Sequence, residues 1–238
     1  MSATGLSLDD ECKQLAELGY CESHPEEMAS NCAPRCAHLL PTAAYRGDLE
    51  MVRVLLEGGS AVDTRNAQGA TAVHFAAHGN HAEVIRLLLG HGAASNNQDE
   101  NGKTALMYAA YANHVGVIRA LAQGGLTLDK RDSEGATALH IAAYKGHLEA
   151  VLALVQSGIA VDAKDHQECT ALHRATYQGH NTEVVRALLA GGADADARNA
   201  QGVTPLHRAS SQGRDLRDRT LERAALTIPA VCHSCRQL

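Results

Sequence analysis

Five threonines fall at a fixed interval along this chain. Thr71, Thr104, Thr137, Thr170 and Thr204 lie 33, 33, 33 and 34 residues apart. Each opens a related tetrapeptide: T-A-V-H at 71–74, T-A-L-M at 104–107, T-A-L-H at 137–140 and 170–173, and T-P-L-H at 204–207. Two residues before each threonine stands Gly69, Gly102, Gly135, Glu168 or Gly202. A chain with such a period folds as an array of one supersecondary unit, because no unit buries its apolar face alone and each needs its neighbours. Composition agrees. Apolar residues make up 45% of the chain, yet aromatics make up 3%, with no Trp and one Phe. Thin layers of Ala, Leu and Val stacked closely suit this usage better than one large mixed core.

Within each period the pattern predicts two helices, a turn between them and a hairpin leading to the next unit. Thr offers an N-cap oxygen for the first helix. Ala pairs at 76–77, 109–110 and 142–143 let neighbouring helices approach. The inter-helix turn needs a residue tolerant of positive φ, supplied by Gly47, Gly146, Gly179 and Gly213, with Asn80 and Asn113 as the next-best choices. The second helix carries pairs such as Val84–Ile85 and Leu88–Leu89 on one face. Gly59, Gly92, Gly125, Gly158 and Gly192 end it.

This 33-residue T-P-L-H-x-A pattern resembles the ankyrin-repeat family over roughly residues 39–213. The resemblance implies an all-α repeat solenoid of about six helix-turn-helix plus β-hairpin units. The first unit, at about 39–65, and the last, beginning near Asn199, are degenerate. Two departures stand out. Glu168 replaces a turn glycine, which predicts local strain or a shifted hairpin. One extra residue lies between His180 and Val184, at the start of a second helix. Residues 214–238 are Arg-rich where earlier units carry Val-Val. They read either as a polar cap closing the stack or as a unit decaying into disorder.

The family implies binding through a concave surface built from hairpin tips and first helices. The position after each Ala pair holds Tyr45, His78, Tyr111, Tyr144, Tyr177 and Ser211, so four of the six tyrosines share one register. The next position holds Arg46, Gly79, Ala112, Lys145, Gln178 and Gln212. The hairpin side adds Lys103, Cys169 and the stretch 165–168. Tyr and Arg are what binding hot spots are made of. The predicted partner-binding set is therefore Tyr45, Arg46, His78, Lys103, Tyr111, Tyr144, Lys145, Tyr177 and Gln178. The alternative is that the rings only pack on adjacent first helices.

The fourteen histidines suggest metal, but the period accounts for eight of them. His74, His140, His173 and His207 fill the T-x-L-H slot, and His81, His114, His147 and His180 fill the slot after the inter-helix turn. Both are recurrent positions in the family, where imidazole bridges backbone groups of neighbouring loops. No metal site, cofactor or catalytic residue is expected: no nucleophile–base pair, P-loop or H-E-x-x-H stands out. The chain lacks both a basic stripe interleaved with aromatics and a run of 18 apolar residues. Nucleic-acid binding and membrane insertion are accordingly not expected.

Residues 9–36 do not fit the repeat. Cys12, Cys21, Cys32 and Cys36 are spaced C-x8-C-x10-C-x3-C, in a segment whose residues 1–38 carry seven acids and two bases. About 30 residues cannot stabilise themselves by burial alone. The segment resembles the ShK-type toxin-like domain in its three spacings, Asp9–Asp10, Gly19, Pro25 and Met28, but lacks that family's first and last cysteines. The resemblance implies bridges Cys12–Cys32 and Cys21–Cys36. Glu26–Glu27 stand where channel-blocking members carry Lys-Tyr, so channel block is not expected. Zinc binding with His24 or His38, or reduced thiols on a helical cap, are the other readings. Cys232 and Cys235 form a lone C-x2-C, a weak zinc signal.

Disulfides want an oxidising compartment, whereas ankyrin stacks with a free cysteine are usually intracellular. The N-terminus MSATGLSLDDEC shows no basic region followed by an apolar run, so no signal peptide is expected. A cytoplasmic, monomeric scaffold or adaptor for a protein partner is the leading expectation. The alternatives are a regulatory arm or fragment of a larger multidomain enzyme or channel, and an extracellular binding protein if the cysteine module is oxidised.

Overall fold

The computed structural model describes residues 38–124, 127–178, 182–205 and 207. The expected Cys12–Cys32 and Cys21–Cys36 bridges, the Arg-rich 214–238 segment, Cys232–Cys235, and the inserted residue near His180 lie outside the described residues. The chain divides into two compact units, Met1–Glu100 and Asn101–Leu238, with the boundary inside the repeat array.

In the first unit, α1 (Leu39–Arg46) and α2 (Leu49–Glu57) form one pair, and α3 (Ala72–His78) and α4 (Ala82–Gly90) form the next. First helices pack on first helices and second on second. The second unit repeats this with α5 (Ala105–Tyr111), α6 (Val115–Gln123), α7 (Ala138–Lys145), α8 (Leu148–Gln156), α9 (Ala171–Gln178) and α10 (Thr182–Ala190). There α7 sits between α5 and α9, and α8 between α6 and α10. Among the described residues no helix is long and apolar enough to cross a membrane.

Of the pairs expected on one face of the second helix, Val84, Ile85 and Leu88 are buried and Leu89 is half-buried. Leu106, Leu139 and Leu172 are buried in the first-helix layer, and Ile118, Leu121, Leu154 and Leu188 in the second. Each contributes roughly 1.5–3 kcal/mol on burial. The Ala pairs at 109–110 and 142–143 are fully buried, so the helices meet at small side chains. In α9 the pair is Ala175–Thr176, and the Thr176 hydroxyl donates to the His173 carbonyl at 3.0 Å.

The T-x-L-H element does more than cap. In α7 the Nδ1 of His140 accepts from the Thr137 N–H at 3.2 Å and lies 2.9 Å from the Thr137 hydroxyl. Its Nε2 lies 2.9 Å from the Cys169 carbonyl of the following unit. With Nδ1 accepting, the proton resides on Nε2, and the ring joins consecutive units as a neutral imidazole. Burial pushes its pKa below the ordinary value, against the bond to Cys169. His173 repeats the arrangement, with Thr170 on one side and the Val203 carbonyl at 3.0 Å on the other. The second histidine slot also bridges units: His81 Nε2 lies 2.9 Å from the Tyr45 carbonyl, and His147 Nε2 lies 3.0 Å from that of Tyr111.

The described inter-helix turns take the conformation that their residues predict; Gly179 and Gly213 lie outside the described residues. Gly47 has φ 76°, and a Cβ there would lie 2.3 Å from His81 Nδ1. Asn80 and Asn113 adopt φ 65° and 59°.

The hairpins need one correction. Among the described residues no β-strand forms; the connections are turn loops. Asx turns close the loops at Asn66, Asp132, Asp165 and Asn199, with Asp132 Oδ1 accepting from the Glu134 and Ala136 N–H groups at 2.9 Å. Adjacent loops are joined by single backbone bonds, Ser133 N–H to Asn101 O, His166 to Glu134 and Ala200 to Gln167. One bond per loop pair holds their register but is too sparse for a strand ladder. Glu168 keeps the left-handed conformation of the glycines it replaces, at φ 56°. The loop is therefore not shifted, and an L side chain bears the strain.

Candidate functional site

The predicted binding residues fall in both units. In the first, Tyr45 and Arg46 end α1 and His78 ends α3, all exposed. The Tyr45 and His78 rings lie 5.7 Å apart at 31°. In the second unit, Tyr111, Tyr144 and Tyr177 occupy the last turns of α5, α7 and α9. Their placement follows from helix geometry: each comes directly after two buried positions (Ala-Ala in α5 and α7, Ala-Thr in α9), about 100° further round the helix.

Together with Tyr45, these are the large apolar side chains left exposed among the described residues. Tyr111 is 55% exposed, Tyr177 42% and Tyr144 37%. Two of them pack on each other and the third against a lysine. Tyr144 and Tyr177 stack with centroids 6.3 Å apart at 23°, within the range of favourable ring pairs. Lys145 Nζ lies 4.1 Å from the centre of the Tyr111 ring, a cation–π contact. Lys145 first, by hydrogen bond and charge, and the charge of Lys103 last, hold the Tyr111 phenol below its ordinary pKa.

These side chains line one open groove, with Lys103, Asp132, Glu134 and Gln167 on its loop side. Lys103 is half-buried there, as expected of a groove residue. Cys169, assigned to the hairpin side of the surface, is instead fully buried and accepts a long bond from Asn199 Nδ2 at 3.7 Å. Its side chain points into the layer between loop and helix, so it contributes nothing to the groove. The side chain of Gln178 and the whole of Ser211 lie outside the described residues.

Sequence reasoning missed Arg174. Its Nε donates to Asp165 Oδ2 at 2.8 Å, and Nη2 donates to the same oxygen. The Asp165 side chain is 0% exposed and that of Arg174 24%. The other Asp165 oxygen closes the Asx turn, accepting from Gln167 and Cys169 N–H at 2.8 and 3.0 Å. Burial raises the Asp165 pKa, but the bonds from Arg174 and from the two backbone amides outweigh it, and the carboxyl titrates below its usual range. A signal was present in the sequence. The residue after T-x-L-x is Phe75, Tyr108 and Ile141 in three units and Arg174 and Arg208 in the next two, so the column changes there from apolar to guanidinium.

Among the described residues no group of three or more His, Cys, Asp or Glu is placed to hold a metal. No buried side-chain nitrogen or oxygen there lacks a partner.

The family model described as ankyrin repeats (3 copies) matches residues 40–132, 95–165, 125–199 and 159–218. The chain belongs to the ankyrin-repeat family. The matches begin at residue 40, and none supports the ShK-like reading of the Cys-rich segment. Among solved structures, the chain is similar to EF0377, an ankyrin repeat protein, at 24% identity and TM-score 0.72, covering 80% of this chain and 98% of that one. It is also similar to an ankyrin repeat domain from Acinetobacter baumannii AYE, at 28% identity and TM-score 0.71, covering 79% and 96%. No curated protein matches the chain. Ankyrin repeats are in general non-enzymatic modules of protein–protein interaction.

Proposed function

We propose that this chain is a non-enzymatic scaffold or adaptor that binds a protein partner in the groove of its second unit. The observation that carries the reading is the arrangement of Tyr111, Tyr144 and Tyr177. Three rings stand half in solvent, on the first helices of three successive units. Their stacking and the Lys145 contact restrict ring motion, so a partner orders little on binding. Tyr45, Arg46 and His78 offer a comparable, smaller surface in the first unit.

Truncating each of the three tyrosines is expected to cost roughly 1–3 kcal/mol of binding. Proximity labelling in the native cell supplies a partner, and titration calorimetry against the purified protein measures affinity. The variant with all three tyrosines changed to Ala should bind at least a hundredfold more weakly, about 3 kcal/mol, while its circular dichroism melt stays close to the parent's. Unchanged affinity in a folded triple variant sinks the proposal.

A further inference from the structure

The groove of the second unit is not electrostatically uniform. Lys145 Nζ lies over the Tyr111 ring, and Lys103 lines the same groove. The loop side carries two carboxylates, Asp132 and Glu134. Asp132 spends one oxygen on its Asx turn. The charge of Arg174 is already met by the buried Asp165. The stacked rings of Tyr144 and Tyr177 join α7 to α9 in the same groove.

We propose that this groove takes an extended segment of a partner protein carrying an Asp or Glu, seated at Lys103, Tyr111 and Lys145, with an apolar side chain next to it over Tyr144 and Tyr177. The inference rests on the reading of the groove as the binding surface and adds the chemistry of the partner. Two lysines and a phenol supply donors and positive charge for one carboxylate. A phosphorylated side chain fits less well. Planar forked recognition of phosphate calls for Arg, and the one guanidinium lining this groove is held by Asp165. Asp132 and Glu134 also repel a dianion more than a monoanion, and favour a basic residue elsewhere in the same segment. The two lysines and the two loop carboxylates balance, so the matching segment is of mixed charge.

The test uses the full chain and a phage-displayed library of random peptides, read by sequencing. Enriched peptides should hold Asp or Glu within a few residues of an apolar side chain. A parallel selection on the Lys145→Glu chain should exchange that acid for Lys or Arg. For a synthetic peptide from the enriched pool, replacing its acid by Ala should weaken binding about tenfold, and added salt should shrink the difference. Circular dichroism melts confirm that each variant is folded. Peptides that lose binding on Tyr144→Ala yet show no preference for an acid, or bind the Lys145→Glu chain equally, overturn this inference and leave the groove reading standing. Peptides indifferent to Tyr144→Ala and Tyr177→Ala overturn both. A phosphoserine peptide that binds more tightly than its Glu counterpart overturns the assignment of a carboxylate.

Discussion

Arg174 and Asp165 provide a quantitative probe of what holds the fourth loop. Arg174→Ile places at this position the residue found one unit earlier, Ile141. It strips two donors from a carboxylate whose side chain is fully buried. Two backbone N–H groups remain on the other oxygen, so Asp165 is underpaired rather than bare. Breaking a fully buried pair by removing one partner costs about 3–5 kcal/mol. Discounted for the part-exposed arginine and the surviving amide bonds, the expected loss is about 2 kcal/mol. Asp165→Asn keeps an oxygen for the turn, as Asn66 and Asn199 do in their own loops. It forfeits the charge-assisted pair, at about 1.5 kcal/mol. Together the two changes should cost about 1.5 kcal/mol, because Asn with Ile leaves no buried charge. The coupling is then about 2 kcal/mol. Equilibrium urea denaturation followed by circular dichroism measures all four corners of the cycle, and hydrogen exchange checks that the change sits in the 165–178 region. Additive losses, with coupling below about 0.5 kcal/mol, would refute the claim that the pair acts as a unit.

Two further outcomes follow from the same geometry, and a third concerns the cysteines outside the described residues. Glu168→Gly should stabilise the protein by about 0.5 kcal/mol by urea titration, since relief of a left-handed L residue outweighs the entropy of glycine and the exposed contact with Lys164; a loss of stability contradicts the strain. Lowering pH should destabilise in two stages. His140 has a depressed pKa in the fold, so the unfolded chain binds its proton first and stability falls as pH drops below about 6.5. Asp165 is also depressed, so its contribution is present above about pH 4 and is lost as pH falls through its folded value. Melting temperature against pH should show both, and His140→Gln should flatten the upper stage; an unaltered upper stage excludes His140 as its source. Thiol titration in denaturant should find either seven free thiols, which discards the Cys12–Cys32 and Cys21–Cys36 bridges, or three, which supports them.

Much of the fold is legible in the sequence because the repeat states each constraint several times over. A threonine and histidine three residues apart, an Ala pair, and a Gly or Asn at the turn each name a backbone requirement, and the structure meets them at Thr137, His140, Ala142–Ala143 and Gly146. The tyrosine register was legible for the same reason: one helical position, read at the period, returned one face. Cys169 was misplaced because loop residues alternate their facing within a turn, and no period within the loop says which residue turns inward. Arg174 was overlooked because the repeat period names no partner for it; Asp165, nine residues earlier, becomes its partner only when the loop folds back over α9.

The sequence by itself determined the repeat, its helix pairs, its small-residue layers and the exposure of the tyrosines, because these follow from local periodicity and from the need to bury one face of each helix. Only tertiary structure decided how those exposed groups meet. The stacking of Tyr144 on Tyr177, the seating of Lys145 on Tyr111 and the clamp of Asp165 on Arg174 all join residues brought together by packing of units or folding of a loop. Distances between side chains on adjacent layers depend on how closely the helices approach, and the buried alanines set that spacing.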